Sequence, residues 1–304
     1  MDERLQLSPE TSRIEQLTDD VLLLILSFLP TLAEIARTSI LNRRWRNLWH
    51  NVTCLDFDAT ALLPRERWEE SRAWFTERVN KVIDARIAMP ELPKVKDLRI
   101  RCRLDEKQAR HIDRWIDFAV SNQVETLHLD FAPYTEIILH RREYTLLKET
   151  WYRAPSGLCN IKCLKSLVLS CVNVSKQFIE FILSSCLLLE DLSWCYAGID
   201  TDLDVSGVPP LRLRRLKIAV AEGFALTKLC APYLTSLYYD STKLSPQKID
   251  VPMLTDLTIG SSTLGMRPLM KYLEHFWSYL PQLEKLYLII SDVCFTGLIS
   301  MPLS

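Results

Sequence analysis

His128 and Asp130 stand two residues apart, which puts both side chains on one face of an extended strand. An imidazole beside a carboxylate can bind a ligand or move a proton. No serine or cysteine nucleophile stands in register with the pair, and no GxSxG occurs. The pair is therefore a candidate for binding rather than catalysis, beside the plainer reading of a solvated sheet face, and no catalytic residue is assigned. The remaining histidines, His50, His111, His140 and His275, are scattered, with no HExxH or other tight metal spacing. Nine cysteines occur, an odd count at irregular spacings without CxxC, several inside apolar runs such as SCVNV and SSCLLLE. They predict reduced core thiols rather than disulfides or zinc ligands. No metal and no cofactor are expected.

Two basic stripes could hold an anion: Arg99, Arg101 and Arg103 in alternation, and Arg212, Arg214 and Arg215. Solvated charge is the favoured reading of both stripes. Across the whole chain Lys+Arg is 37 and Asp+Glu is 38, a formal charge of -1. That balance gives no general attraction to nucleic acid or to an anionic membrane. With seven glycines and neither GxGxxG nor GxxxxGK, a nucleotide-phosphate cradle has no support. The N-terminus, MDERLQLSPE, lacks a basic segment followed by an apolar one, and the longest strongly apolar run, Val21 to Leu26, is too short to span a bilayer. A protein of the nucleus and/or cytoplasm is expected.

The elements that must carry these residues repeat. An apolar residue, two positions, a leucine, one position and another apolar residue recur nine times, centred on Leu55, Leu98, Leu127, Leu167, Leu192, Leu216, Leu237, Leu257 and Leu286. The central leucines are 43, 29, 40, 25, 24, 21, 20 and 29 residues apart. The middle intervals suit leucine-rich repeats. One such unit cannot close a core, whereas a stack can, as a curved parallel sheet. The expected fold is α/β: a short three-helix N-terminal unit, then an irregular solenoid with parallel strands on its concave face and helices and loops on its convex face. Residues flanking the inward leucines then face the concave side. The candidate substrate-binding residues on it are Arg99, Arg101, His128, Asp130, Arg215, Lys217, Tyr238, Asp240 and Tyr287. Tyr and Arg are favoured interface anchors.

Helical spacing fills the gaps at Glu66 to Ala88, Gln108 to Val120, Lys176 to Leu187 and Met270 to Leu280. The short intervals from Leu216 to Leu257 predict loop or a 3₁₀ turn. Tyr134 to Gly157 reads as an inserted hairpin or protruding loop. After Ile290 only fourteen, mildly apolar residues follow, which predicts either a truncated form or a frayed, poorly protected edge.

Leu17 to Trp49 holds the helices of the N-terminal unit. Thr18 can cap the first, with Asp19 and Asp20 in its opening turn. Leu22, Ile25, Leu26 and Leu29 share one face, and Val21, Leu24 and Phe28 line another. Thr31 and Glu34 form a capping-box pattern for a second helix, and a third is expected from about Ser39. So small a unit cannot stand alone, and its apolar excess implies a surface to cover, either on an outside partner or on the remainder of this chain.

LTDDVLLLILSFLP followed by RTSILNRRWRNLW resembles the F-box of plant F-box/leucine-rich-repeat proteins, including the FBD-associated group. Thr18 stands where that motif usually has proline. FILSSCLLLEDLSWC and LCAPYLTSLYYD resemble later repeat units of the same family, with Leu187 in place of proline and Asp240 in place of glycine. The resemblance implies that Leu17, Thr18, Val21, Leu24, Ile25, Phe28, Leu29, Pro30 and Trp45 form or support a surface for a Skp-type adaptor, and through it a cullin. It also implies that the solenoid holds a protein substrate of a ubiquitin ligase. An adaptor-bound scaffold without a cullin, or a receptor gated by a small ligand, would carry the same features. The divisions expected are a flexible 1–13, an F-box at 14–50 and a solenoid at 51–304. Ile25, Phe28 and Leu29 are expected to stay open for the adaptor.

Overall fold

The computed structural model describes residues 13–29, 31–59, 68–131, 144–146, 161–195, 202–207, 210–221, 226–241, 244–261, 266–292 and 295–302. Pro30 and all of the 134–157 insert except 144–146 lie outside the described residues.

The N-terminal unit has three helices, α1 (Asp19–Ser27), α2 (Leu32–Arg37) and α3 (Arg43–Leu48). Thr18 occupies the N-cap of α1 with extended backbone, but its side chain makes no capping hydrogen bond. The first-turn carboxylates Asp19 and Asp20 remain to complement the helix dipole. Thr31 does cap α2, its Oγ1 accepting from the Glu34 amide at 3.3 Å. The helix expected from Ser39 is instead a 3₁₀ turn, Thr38–Ile40, followed by a fresh start at Arg43. Asn42 causes the break: its Oδ1 accepts from the Trp45 amide at 3.1 Å, a cap that competes with continuing the helix. Arg44 pairs with Asp19 at 2.6 Å and ties α3 to the start of α1.

The rest is organised by one ten-stranded sheet. Its strands are β1 (Cys54–Asp58), β2 (Asp97–Arg101), β3 (Thr126–Asp130), β5 (Ser166–Ser170) and β7 (Asp191–Cys195), then β9 (Arg215–Ala221), β11 (Ser236–Ser241), β13 (Asp256–Ser261), β14 (Lys285–Asp292) and β15 (Phe295–Pro302). The first nine are parallel, and each carries one of the nine predicted leucines. The register puts those leucines opposite one another without a slip, from Leu55–Leu98–Leu127 through to Leu257–Leu286. A second inward ladder runs from Phe57 and Ile100 through Trp194 and Tyr239 to Leu288. Both ladders are buried. Each fully buried leucine contributes about 1.5–3 kcal/mol relative to exposure.

Return limbs close the other side. The first two are α4 (Trp68–Ala88), which buries Phe75, Val79 and Ile83, and α5 (Ala109–Asn122), which buries Ile112, Trp115 and Ile116. The Lys176–Ser185 helix buries Phe178, Ile179 and Ile182. The last helix begins earlier than its spacing suggests, at Met266, and gives way after Glu274 to a 3₁₀ stretch, Trp277–Gln282.

Two expectations are corrected. The short intervals hold extended strands, β10 (Leu226–Cys230) and β12 (Leu244–Asp250), which with β8 (Leu203–Val205) form a second parallel sheet. Repeats of this length have no room for a helix. Stacking of the main strands brings successive return limbs within pairing distance, so extended limbs satisfy one another's backbone. Second, β15 folds back antiparallel on β14, with Pro302 opposite Lys285 and Phe295 opposite Asp292. The edge expected at β14 is therefore covered. Another small parallel pair, β4 (Tyr144–Leu146) with β6 (Val172–Val174), joins the insert to the segment after β5.

The N-terminal unit shares the solenoid's core, since Leu48, Val52 and Leu55 belong to one continuous apolar cluster. Arg86 of α4 donates to the carbonyls of His50 and Pro93, bridging the end of that unit to the loop before β2. Among the described cysteines, Cys102, Cys171, Cys186 and Cys195 are buried. Burial pushes the Cys102 and Cys186 thiols up to about 12, so they behave as small core hydrophobes.

Candidate functional site

Two surfaces are left exposed by this packing. The first is the sheet face opposite the return limbs. The unshifted register lines up one row of outward residues: Asp56, Arg99, His128, Val168, Ser193, Lys217, Tyr238, Thr258 and Tyr287. Five of the nine predicted substrate-binding residues, Arg99, His128, Lys217, Tyr238 and Tyr287, fall in it. Arg101, Asp130 and Asp240 lie in the next row, and Arg215 in the row nearest the strand starts.

At the first three strands this face is an ion network. Arg101 Nη2 lies 3.0 Å from Asp56 Oδ1 and 3.2 Å from Asp58 Oδ2, while Arg99 reaches Asp56 only at 4.0 Å. Burial raises the Asp56 carboxyl above its ordinary value, against the opposing hydrogen bond and charge of Arg101. Burial likewise lowers the His128 imidazole, against the pull of Asp130. His128 is therefore neutral at neutral pH, suited to hydrogen bonding and not to attracting anions. Farther along, the Lys217 ammonium sits 4.9 Å from the centre of the Tyr238 ring, a cation–π pair on adjacent strands. Arg215 pairs with Asp191 at 3.0 Å.

Asp240 corrects its own assignment. It is buried, and its carboxyl lies over Gly260, where an added Cβ would meet Asp240 Cγ at 2.5 Å. It shapes the sheet and is not presented to a partner. Asp56 is the residue that sequence reasoning missed. The alternation that names Arg99 and Arg101 also names Asp56, between Leu55 and Phe57.

The second surface is on the N-terminal unit. Leu22 and Leu26 point inward, leaving Val21, Leu24 and Phe28 exposed, Phe28 at 77%. Leu17, Ile25 and Leu29 are half-buried and pack on the core. That corrects the expectation that Ile25 and Leu29 stay open. Trp45 is 3% exposed, so it supports the unit from within and offers no contact surface. Thr18 is exposed, and Pro30 lies outside the described residues. Ile40, at 84%, and Leu41 are the exposed apolar residues that sequence reasoning missed. Their signal is the adjacent Asn42, which caps a new helix at Arg43 and so leaves Ile40 and Leu41 in the turn before it.

Among the described residues no group of three or more His, Cys, Asp or Glu could hold a metal ion, and no helix is long and apolar enough to cross a membrane.

Comparison with known proteins finds matches to both parts of the chain. An F-box domain model matches residues 14–56, and the model "At1g61320/AtMIF1, LRR domain" matches residues 92–296. Neither indicates a catalytic family. The F-box/LRR-repeat protein At3g03360 of Arabidopsis thaliana is 31% identical over 259 residues, covering 80% of this chain and 50% of that protein. An FBD-associated F-box protein, At5g56440 of the same plant, is 33% identical over 192 residues, covering 59% of this chain and 42% of that protein. F-box/LRR-repeat protein 25, also from Arabidopsis thaliana, is 30% identical over 216 residues, covering 67% of this chain and 75% of that protein. The chain thus spans only about half the length of the first two relatives. No solved structure matches it. With helices that expose Phe28 and Ile40 at one end, nine in-register leucine strands behind them, and both domain models falling on those parts, the chain belongs to the F-box/leucine-rich-repeat family.

Proposed function

We propose that the chain is the substrate-recognition subunit of a Skp–cullin–F-box ubiquitin ligase, working in the nucleus and/or cytoplasm. Its F-box would hold the Skp-type adaptor, and its sheet face a protein substrate. The observation that carries this reading is the exposure of Val21, Leu24, Phe28, Ile40 and Leu41 on a unit whose core is already closed by Leu22, Leu26, Trp45 and Leu48. Side chains of that size left in water on a helical surface mark a protein contact. The sheet face supplies the second contact, with Lys217, Tyr238 and Tyr287 as large side chains of the types that anchor interfaces. Such a subunit does no chemistry. It raises the effective concentration of a substrate lysine at a ubiquitin-loaded enzyme.

Receptor gating by a polyanion receives less support. Arg101 is engaged with Asp56 and Asp58, and Arg215 with Asp191. Co-purification of the tagged chain from plant cells, probed for a Skp-type adaptor and for a cullin, tests the proposal. Recovery of both supports a ligase subunit. Recovery of the adaptor without the cullin overturns the ligase role and leaves a scaffold.

A further inference from the structure

The middle row of the sheet face holds three charged residues, Asp56, Arg99 and Lys217. Asp56 is buried, and both its oxygens accept from Arg101 Nη2, at 3.0 and 3.1 Å. Arg99 is left 4.0 Å from that carboxylate, beyond hydrogen-bond distance, with its side chain 43% exposed. Lys217 is exposed and meets no carboxylate among the described residues. Its ammonium is held at the Tyr238 ring, which orients a cation without neutralising it. The other basic residues of the face are spent: Arg101 on Asp56 and Asp58, Arg215 on Asp191, and Lys285 on Asp256 at 3.1 Å. The face as a whole is not basic, since Asp97 and Asp130 flank Arg99 on its own strand and the next. Any pull on an anion is therefore local to Arg99 and Lys217.

Their separation gives that pull a length. Four strand steps lead from β2 through β3, β5 and β7 to β9. At about 4.8 Å per step, the two cations stand about 19 Å apart along the sheet. Between them the row holds His128, Val168 and Ser193. Burial keeps His128 neutral, Val168 is half-buried and Ser193 is buried, so the row between the cations is a low, uncharged floor. An extended chain advances about 3.3 Å per residue, so it covers that distance in about six residues. An even number matters, because alternation turns residues an even number apart to the same side. The two intervening residues on that side then lie over the floor, where small or apolar side chains fit. We propose that the sheet face binds an extended protein segment carrying two acidic residues about six positions apart, with small or apolar residues between them facing the sheet. The proposal rests on the sheet face being the substrate surface and adds the chemistry of what it holds.

The test is calorimetric titration of the full chain with a peptide of alanine and serine that carries two aspartates at that spacing. The controls, at matched ionic strength, are the same peptide with one aspartate replaced by asparagine and a peptide with the aspartates at half the spacing. The first peptide is expected to bind with Kd of about 1 mM or tighter, and each control about tenfold more weakly. Arg99→Gln and Lys217→Met should each weaken it about tenfold at an unchanged thermal midpoint, because neither side chain carries the fold. Lys217→Met should also bind the two-aspartate and one-aspartate peptides within about twofold of each other, since the second carboxylate has lost its partner. Lys285→Met, which removes a cation already paired outside the row, should leave the affinity unchanged. No binding up to about 10 mM peptide overturns the proposal. So does equal binding of the asparagine control by wild type, or a loss in Lys285→Met as large as in Lys217→Met. These titrations need neither adaptor nor cullin, so their failure and a failed co-purification are separate results.

Discussion

Arg101 on β2 reaches back across one strand to Asp56 on β1, with Nη2 3.0 Å from Oδ1, and the same nitrogen lies 3.2 Å from Asp58. One guanidinium thus serves both carboxylates of the strand where the F-box joins the sheet. Asp56 is nearly as buried as the core leucines. Removing Arg101 would leave that carboxylate without its main partner. Arg101→Met is expected to cost about 1–3 kcal/mol in chemical denaturation, and the double variant with Asp56→Asn less than the sum of the singles. Strict additivity would show that the pair does not couple.

His128 gives the stability a pH dependence whose sign is fixed. Burial holds its folded pKa below the ordinary 6.5, so the fold disfavours the protonated ring. Its contribution is complete above 6.5 and is lost as pH falls through the lowered folded value. His50 shifts the same way, through burial and the Arg86 charge. Wild-type denaturation midpoints should fall from about pH 7.5 to about pH 5, and His128→Gln should show a shallower fall without abolishing it.

Gly260 is required by its neighbour. Gly260→Ala would press a methyl to 2.5 Å from Asp240 Cγ on the adjacent strand, in a buried place that cannot yield freely. A loss of about 1–3 kcal/mol is expected from the overpacking. Asp240→Ala in the same chain should recover part of it, as read by thermal unfolding.

Trp45 separates support from contact within the F-box. Being 3% exposed, it acts through the fold. Trp45→Ala should cost about 3–5 kcal/mol and abolish adaptor binding by unfolding the unit. Trp45→Phe should retain adaptor binding within a few-fold. A large, binding-specific loss in Trp45→Phe at unchanged stability would mean the indole touches the adaptor.

The main sheet is legible in the sequence because each strand places two inward side chains at fixed spacing, and all nine leucine patterns became register partners. The return limbs are less legible. Leu226 to Cys230 and Leu244 to Asp250 pair only because stacking brings them together, a non-local cause that no window of sequence carries. The same limit applies to the site. Row membership of Arg99, His128 and Lys217 follows from alternation, but which cation is spent on a neighbour does not. Asp240 reads as an outward residue and is buried, because its neighbour across the strand is a glycine. Leu41 reads as part of the third helix, and it is exposed in the turn that precedes the Asn42 cap, beside Ile40.

The central claim is that the exposed apolar side chains of the F-box hold the adaptor. Its most direct test is titration of the full chain with a purified Skp-type adaptor, comparing wild type with the Phe28→Ala, Ile40→Ala double variant. Both side chains are solvent-exposed in the isolated chain, so the variant should unfold at the wild-type midpoint. The account predicts adaptor binding by wild type and a loss of about 100-fold or more in the variant, the scale of two interface anchors. Undiminished binding by the variant, or no binding by wild type, would contradict it.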